Sequence, residues 1–401
     1  MRFAVPLLAA LGGLPVAMGH TWIEQMRNID ADGNFFGEYG YPRGYKAKTD
    51  PGYDGNSMNY LLPPLEQQPP FINSTNLLCH PNQRKQEQSD KYPRLKTQAG
   101  GHVALRYMEN GHISLPEQQV GKPEKAGTVY VFGTTDPKDD EKIADVLKWT
   151  ADGQGGNKRG VLVGAQNYDD GRCYEQNNSP IHNERAAKFP NWMMGQVPDG
   201  DKGPGNAALF CETNIEIPKD AQTGKPYTLY WVWQWPTKPQ TSVYTDGKDE
   251  YYTTCMDVDI VDTLKQDRTF KAKFPLVQQD AMSVAVSNFA SRTALVDDPI
   301  KGELGNVFHG QQTQSGVQTT LQTSLATPPA ATTGIEIPTL TDRPGASSAP
   351  SANPGGNNAV TIIVTERITV TAPAATAIVT ASKQHVARHG ARFRGMFTVD
   401  H

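Results

Sequence analysis

Residues 227–235 read YTLYWVWQW. The run is closed on both sides by Pro226 and Pro236, holds no glycine or charge, and is built from aromatic and β-branched residues that fit a pleated strand. Trp231, Trp233 and Trp235 alternate, so they share one face of that strand. Three indoles in a row on one face mark the core of a sheet rather than a binding platform. Three further stretches have the same character: HVALRYM at 102–108, GTVYVFG at 127–133 and TTCMDVDIVD at 253–262. Each is bounded by Gly, Pro or Asp, and the alternation predicts antiparallel sheets with one buried face.

Helical signals are few. Asp136 and Pro137 open a segment expected to be helical over 137–149. Met282, Val286 and Phe289 are spaced to face one way on a second helix within 280–295, docked on the sandwich. Between these, residues 150–210 are rich in Gly, Asn and Asp and read as loops. The expected fold is all-β: an immunoglobulin- or fibronectin-like antiparallel β-sandwich with long loops and one or two short helices, followed by a disordered tail.

Composition divides the chain of 401 residues into four parts. Residues 1–19, MRFAVPLLAALGGLPVAMG, carry one early Arg, an apolar centre and an Ala-x-Gly end, and read as a secretion signal. Gly12, Gly13 and Pro15 interrupt that run, and no other stretch is long enough to span a bilayer. Residues 20–310 form the folded domain. From Gln311 to Asn358 the chain is Ser-, Thr-, Pro- and Gly-rich, a linker that buries too little apolar area to fold. Residues 359–401 are a low-complexity and basic tail: a β-branched run, then a solvated or weakly surface-attaching end containing Arg388, Arg392 and Arg394.

The formal net charge is −4, with 38 Lys and Arg against 42 Asp and Glu, and removal of Arg2 with the signal makes it −5. That balance excludes a general nucleic-acid binder. The four cysteines, Cys79, Cys173, Cys211 and Cys255, favour two disulfides in a secreted chain, with three connectivities open. No Cys-x-x-Cys pair supports a structural zinc site instead. Asn73-Ser74-Thr75 and Asn177-Asn178-Ser179 are glycosylation sequons.

Cleavage after Gly19 would make His20 the first residue. Its α-amine and imidazole could then chelate one metal ion, which an internal histidine cannot do. Both nitrogens must be deprotonated, and an α-amine with a pKa of roughly 7.7–8 yields its proton to a strongly bound metal. A second imidazole would complete three nitrogen donors, a set suited to copper. His112, presented by the Asn110-Gly111 turn after a strand, is the preferred partner. His182 is the reserve; His102 opens a strand and reads as structural, His80 adjoins Cys79, His309 is a further candidate, and His385, His389 and His401 lie beyond the linker. In KDEYYTTCMDVDIVD, Tyr251 and Tyr252 face opposite ways, and Glu250 shares the face of Tyr252.

HTWIEQ after a signal, AGGHVALRYMENGHIS, YTLYWVWQWP and EYYTTCMDVDI occur in an order that resembles the fungal lytic polysaccharide monooxygenases. The resemblance covers about residues 20–262 as short motifs. It implies a copper histidine brace with His20 and His112 as equatorial ligands, Tyr252 as the axial residue, and Glu250 in a supporting role beside it. It also implies a Cys79–Cys255 disulfide, which leaves Cys173–Cys211 by exclusion. The implied activity is oxidative cleavage of a polysaccharide or cell-wall glycan by a secreted monomer, fed by an external electron donor. Trp22, next to His20, is a candidate for holding the glycan or for the core. The alternative is a secreted copper-binding or wall-surface protein without glycan cleavage. A conventional glycosidase would need two carboxylates about 5–10 Å apart, and no motif selects a pair.

Overall fold

A computed structural model describes residues 20–193, 207–239, 244–267 and 280–292. The expected signal, linker, tail, His309 and the tail histidines lie outside the described residues, as do 293–295 of the expected second helix. Among the described residues ten strands form two sheets. They are β1 (Gln25–Ile29), β2 (Phe35–Gly40), β3 (Leu61–Leu62), β4 (Leu95–Thr97), β5 (His102–Tyr107), β6 (Thr128–Thr134), β7 (Val161–Asn167), β8 (Cys211–Glu216), β9 (Pro226–Gln234) and β10 (Tyr251–Ile260). The four-stranded sheet runs β2-β1-β5-β8, and the six-stranded sheet runs β3-β10-β9-β6-β7, with β4 on the free edge of β10. All these pairings are antiparallel except β4 with β10. The protein is an all-β sandwich.

YTLYWVWQW lies almost wholly in β9, the strand between β10 and β6. Leu229, Trp231 and Trp233 point inward with Val129, Val131, Tyr252 and Met256, and Trp235 extends the row. The four-stranded sheet meets them with Ile23, Met26, Val103, Leu105, Tyr107 and Ile215. The three tryptophans are core residues, as their spacing predicts; each is 0–1% exposed.

The expectation of one buried face fails for the six-stranded sheet. Its outer face carries Leu62, Tyr130, Phe132, Tyr230, Val232, Tyr251 and Cys255, and these are covered by Ile72, Leu78, Ile143, Val146, Leu147 and Trp149. A second core therefore lies beneath the loops. The Cys79–Cys255 disulfide fastens that cover to β10, and Cys173–Cys211 fastens the 170s loop to β8.

The helix expected over 137–149 shrinks to α1 (Ile143–Val146). Its first half is drawn into extended pairing with the cover: Leu78 N–H donates to Glu141 O at 2.8 Å, and Ile143 N–H donates to Asn76 O at 3.2 Å. Lys142, bridged to Leu77, is consequently extended at φ −99° and ψ 132°. Tertiary pairing thus overrides the local capping signal of Asp136.

Residues 280–292 are likewise not a helix. They form a strap along the start of β2, with Phe35 N–H donating to Ser283 O at 2.9 Å and Ala285 N–H donating to Gly33 O at 2.8 Å. Only Phe289–Ser291 makes a single 3-10 turn. The segment docks without the expected shared face: Ala285 and Phe289 pack on Ile29, Phe35 and Ala104, whereas Met282 packs with Tyr174, Ala186 and Leu209.

The span read as loops contains β7 and one helix, α2 (Pro180–Lys188). Its start is encoded locally: Ser179 Oγ accepts the His182 N–H at 3.1 Å, and Pro180 occupies the first turn. No helix among the described residues is long and apolar enough to cross a membrane.

Candidate metal centre

β1 and β5 pair antiparallel, from Ile29 opposite His102 to Gln25 opposite Arg106. Beyond the strands the two segments keep this course. Glu24 N–H donates to Arg106 O at 2.8 Å, and Thr21 Oγ1 donates to Met108 O at 2.9 Å. At the end of this run the Asn110 side-chain amide donates to His20 O. Sheet register therefore delivers His20 to the turn that carries His112.

That turn has the geometry its residues demand. Asn110 and Gly111 both have positive φ, 48° and 80°, which Asn and Gly tolerate best, and His112 N–H closes on Glu109 O at 3.0 Å. Glu109, buried, then accepts from the Ile113 N–H at 2.7 Å and from the Ser114 hydroxyl, which fixes the residues after His112.

The His112 ring packs on Trp235 and Trp233, with centroids 4.5 and 5.2 Å away. It is 6% exposed, and neither ring nitrogen meets a hydrogen-bond partner of normal geometry. Burial lowers its pKa to about 4, reinforced by the charges of Lys122 and His20 and opposed by Glu250. The imidazole is thus neutral at physiological pH.

On β10, Tyr252 faces Trp233, 5.1 Å between centroids, whereas Tyr251 faces the outer core. The Tyr252 hydroxyl donates to Glu250 Oε1 at 2.8 Å, so the two residues share a face as the alternation predicts. Glu250 Oε2 accepts from Lys122 Nζ at 2.7 Å and from Lys248 Nζ at 3.0 Å. Burial pushes the Glu250 carboxyl up, but the two ammonium groups and the Tyr252 hydrogen bond outweigh it, and the net shift is downward. Burial pulls the Lys122 ammonium down to about 8, against the pull of Glu250.

His20, His112, Tyr252 and Glu250 are therefore brought to one end of the sandwich. The other described histidines are placed elsewhere. His182 lies on α2, not in a loop; its ring meets Tyr174, and its Nδ1 accepts the Asn178 N–H. His102 meets Phe289 edge-on, and His80 caps a 3-10 turn through Asn82 N–H. Trp22 is core, 4% exposed within a tyrosine cluster.

Sequence reasoning missed Lys122 and Lys248. For Lys248 a signal existed, since Lys248, Glu250 and Tyr252 alternate along one run. Lys122, in a Gly-Lys-Pro turn, carries none.

The donor set fits a borderline metal. A buried neutral imidazole with both nitrogens unsatisfied is costly unless something binds it, and imidazole suits copper or zinc. Asp169, Asp170 and Cys173 also cluster, but they do not fit a metal: Cys173 is in a disulfide, Arg185 grips both Asp169 oxygens, and Asp170 accepts backbone N–H groups.

No curated protein matches the sequence. A family model described as Domain of unknown function (DUF7492) matches residues 17–288, which is 272 of the 401 positions, and the chain belongs to that family.

Proposed function

We propose that this protein is a secreted, copper-dependent lytic polysaccharide monooxygenase that cleaves a glycan oxidatively at a centre held by His20 and His112. The observation that carries this reading is that the turn leading to His112 holds the His20 carbonyl through the Asn110 amide, while His112 is itself buried with no hydrogen-bond partner of normal geometry at either ring nitrogen. Cleavage after Gly19 would add the His20 α-amine as a third nitrogen donor. Two disulfides accord with an oxidising compartment, and the sequons at Asn73 and Asn177 accord with glycosylation there.

Bound copper would supply the one-electron chemistry by which oxygen or peroxide, with an external electron donor, is turned on the glycan. The protein's own residues do the rest. Burial keeps the lone pair of one His112 ring nitrogen available by disfavouring protonation. Trp233 and Trp235 wall the ring and keep water from it. Glu250 stays ionised between Lys122 and Lys248, and accepts the Tyr252 hydroxyl proton, which fixes that phenol's orientation.

One observation favours the second reading, a copper-binding protein that does not cleave glycans. Trp22, the aromatic nearest His20 in sequence and the candidate to hold a polysaccharide, is spent in the core.

The test has three steps. Mass spectrometry of the secreted protein is expected to find His20 at its N-terminus, and any other start removes the brace. Copper titration is expected to show tight binding that His112→Ala loses. Incubation with chitin, cellulose, xylan and starch plus ascorbate is expected to release oxidised oligosaccharides; tight copper binding without products selects the second reading.

A further inference from the structure

We propose that Lys122 is a positioning residue of the histidine site, tying the loop that carries His112 to the strand that carries Tyr252. The inference rests on reading the site as a copper centre.

Lys122 lies at the far end of the loop that His112 begins. Its Nζ donates to Glu250 Oε2 at 2.7 Å and to Trp235 O at 3.0 Å, and it stands 3.7 Å from the centroid of the Trp235 ring. The same indole packs on His112 at 4.5 Å. One ammonium group thus touches the wall of the His112 pocket and the carboxylate that orients Tyr252. The neighbouring Gly121 O accepts the Lys238 N–H at 2.9 Å, which holds the loop end against the segment after β9.

Charge balance alone does not require Lys122. Lys248 already donates to the same Glu250 oxygen at 3.0 Å, and one cation suffices to neutralise one carboxylate. The two lysines differ in what they connect. Lys248 is two residues from Glu250 on one run of chain, so its ammonium links that run only to itself, its backbone alone pairing with Thr237. Lys122 reaches Glu250 across a sequence separation of 128 residues. A neutraliser could be either lysine; a tie between the two elements can only be Lys122.

Outer partners of metal ligands typically change metal affinity about 10–100-fold when removed. Lys122→Met is therefore expected to weaken copper binding to the secreted full-length protein by about that factor. It is also expected to change the Cu(II) electron paramagnetic resonance spectrum in the direction that Glu250→Gln changes it. Lys122→Arg, which keeps a charged donor, is expected to restore both, and Lys248→Met to change both less than Lys122→Met does. Lys122→Gln is read the same way should Lys122→Met be secreted poorly.

Equal effects of Lys122→Met and Lys248→Met would reduce Lys122 to a counter-charge and overturn the proposal. So would a Lys122→Met spectrum and affinity matching wild type, while leaving the copper centre itself standing. A wild-type protein that binds no copper would overturn the proposed function and this inference together.

Discussion

Replacing Arg43 with Met tests how the six-stranded sheet holds its cover. Arg43 and Asp257, both 0% exposed, form a two-pronged pair, with Nε to Oδ2 at 2.8 Å and one terminal nitrogen to Oδ1 at 2.7 Å. The guanidinium also donates to Gln83 O at 3.1 Å and Thr228 Oγ1 at 3.0 Å. Without Arg43, Asp257 keeps only the Thr228 hydroxyl at 2.6 Å and the Gln86 amide at 3.1 Å, both on Oδ1, with Arg94 Nε 3.8 Å from Oδ2. A buried carboxylate stripped of its partner costs about 3–5 kcal/mol.

The cost should depend on pH. Burial pushes the Asp257 carboxyl up, but the hydrogen bonds and charge of Arg43, with Thr228 and Gln86, bring it below the usual value. In the wild type this contribution is present above the unfolded carboxyl pKa of about 3.9 and is lost as pH falls through the lower folded value. In Arg43→Met burial prevails, the folded pKa rises, and the penalty grows with pH. Urea unfolding with disulfides intact is therefore expected to show a loss of about 3–5 kcal/mol at pH 7 and a smaller one near pH 4. The double variant Arg43→Met with Asp257→Leu should lie closer to wild type than Arg43→Met, since no lone charge remains. A loss under about 1 kcal/mol, or one that does not change with pH, would refute the reasoning.

Other perturbations probe the frame in different places. Replacing Cys79 and Cys255 together by Ala opens a loop with a sequence separation of 176, worth about 5 kcal/mol on the chain-entropy model, and a large fall in the urea midpoint should follow. Gly40→Ala would place a Cβ 2.3 Å from the Leu95 backbone nitrogen where β2 passes β4; a loss of at least about 2 kcal/mol is expected in thermal unfolding, and near-wild-type stability would deny that close approach. Trp233→Phe removes the donor to Ala126 O at 2.6 Å and shrinks the ring stacked on Tyr168 at 4.0 Å. It should cost about 1–3 kcal/mol by denaturation and loosen the wall of His112, read as weaker copper binding.

The parts of the fold legible in sequence were those where the chain's own pattern matches its surroundings. β5, β6, β9 and β10 fall within a residue or two of the apolar runs that announce them. β1 and β8 were not legible, because QMRNI and CETNIE carry polar residues on buried positions: Arg27, Asn28, Glu212 and Asn214 are all buried, Asn28 with its amide on Lys96 O of β4. Arg106 is paired with Asp280 at 2.7 Å, and Arg292 donates to Glu212 O and Asn214 Oδ1 at 3.0 Å. Those partners lie 78–174 residues away along the chain, so no local window could justify a buried charge there.

The sequence by itself determined the strand period, the turn at Asn110-Gly111 and the shared face of Glu250 and Tyr252. Each is a local property: alternation fixes which side chains share a face, and an Asn-Gly pair tolerates the positive φ a tight turn requires. Only the tertiary structure decided that the expected helices give way to a short turn and a strap, that both faces of the larger sheet are buried, and that His20 is brought to the turn before His112, whose ring packs on Trp235. These depend on pairing between distant segments, whose hydrogen bonds and buried area outweigh local propensity. Lys122 belongs wholly to that second group. A lysine between Gly121 and Pro123 reads as a solvated turn until the fold closes the loop over β9 and sets its ammonium against Glu250.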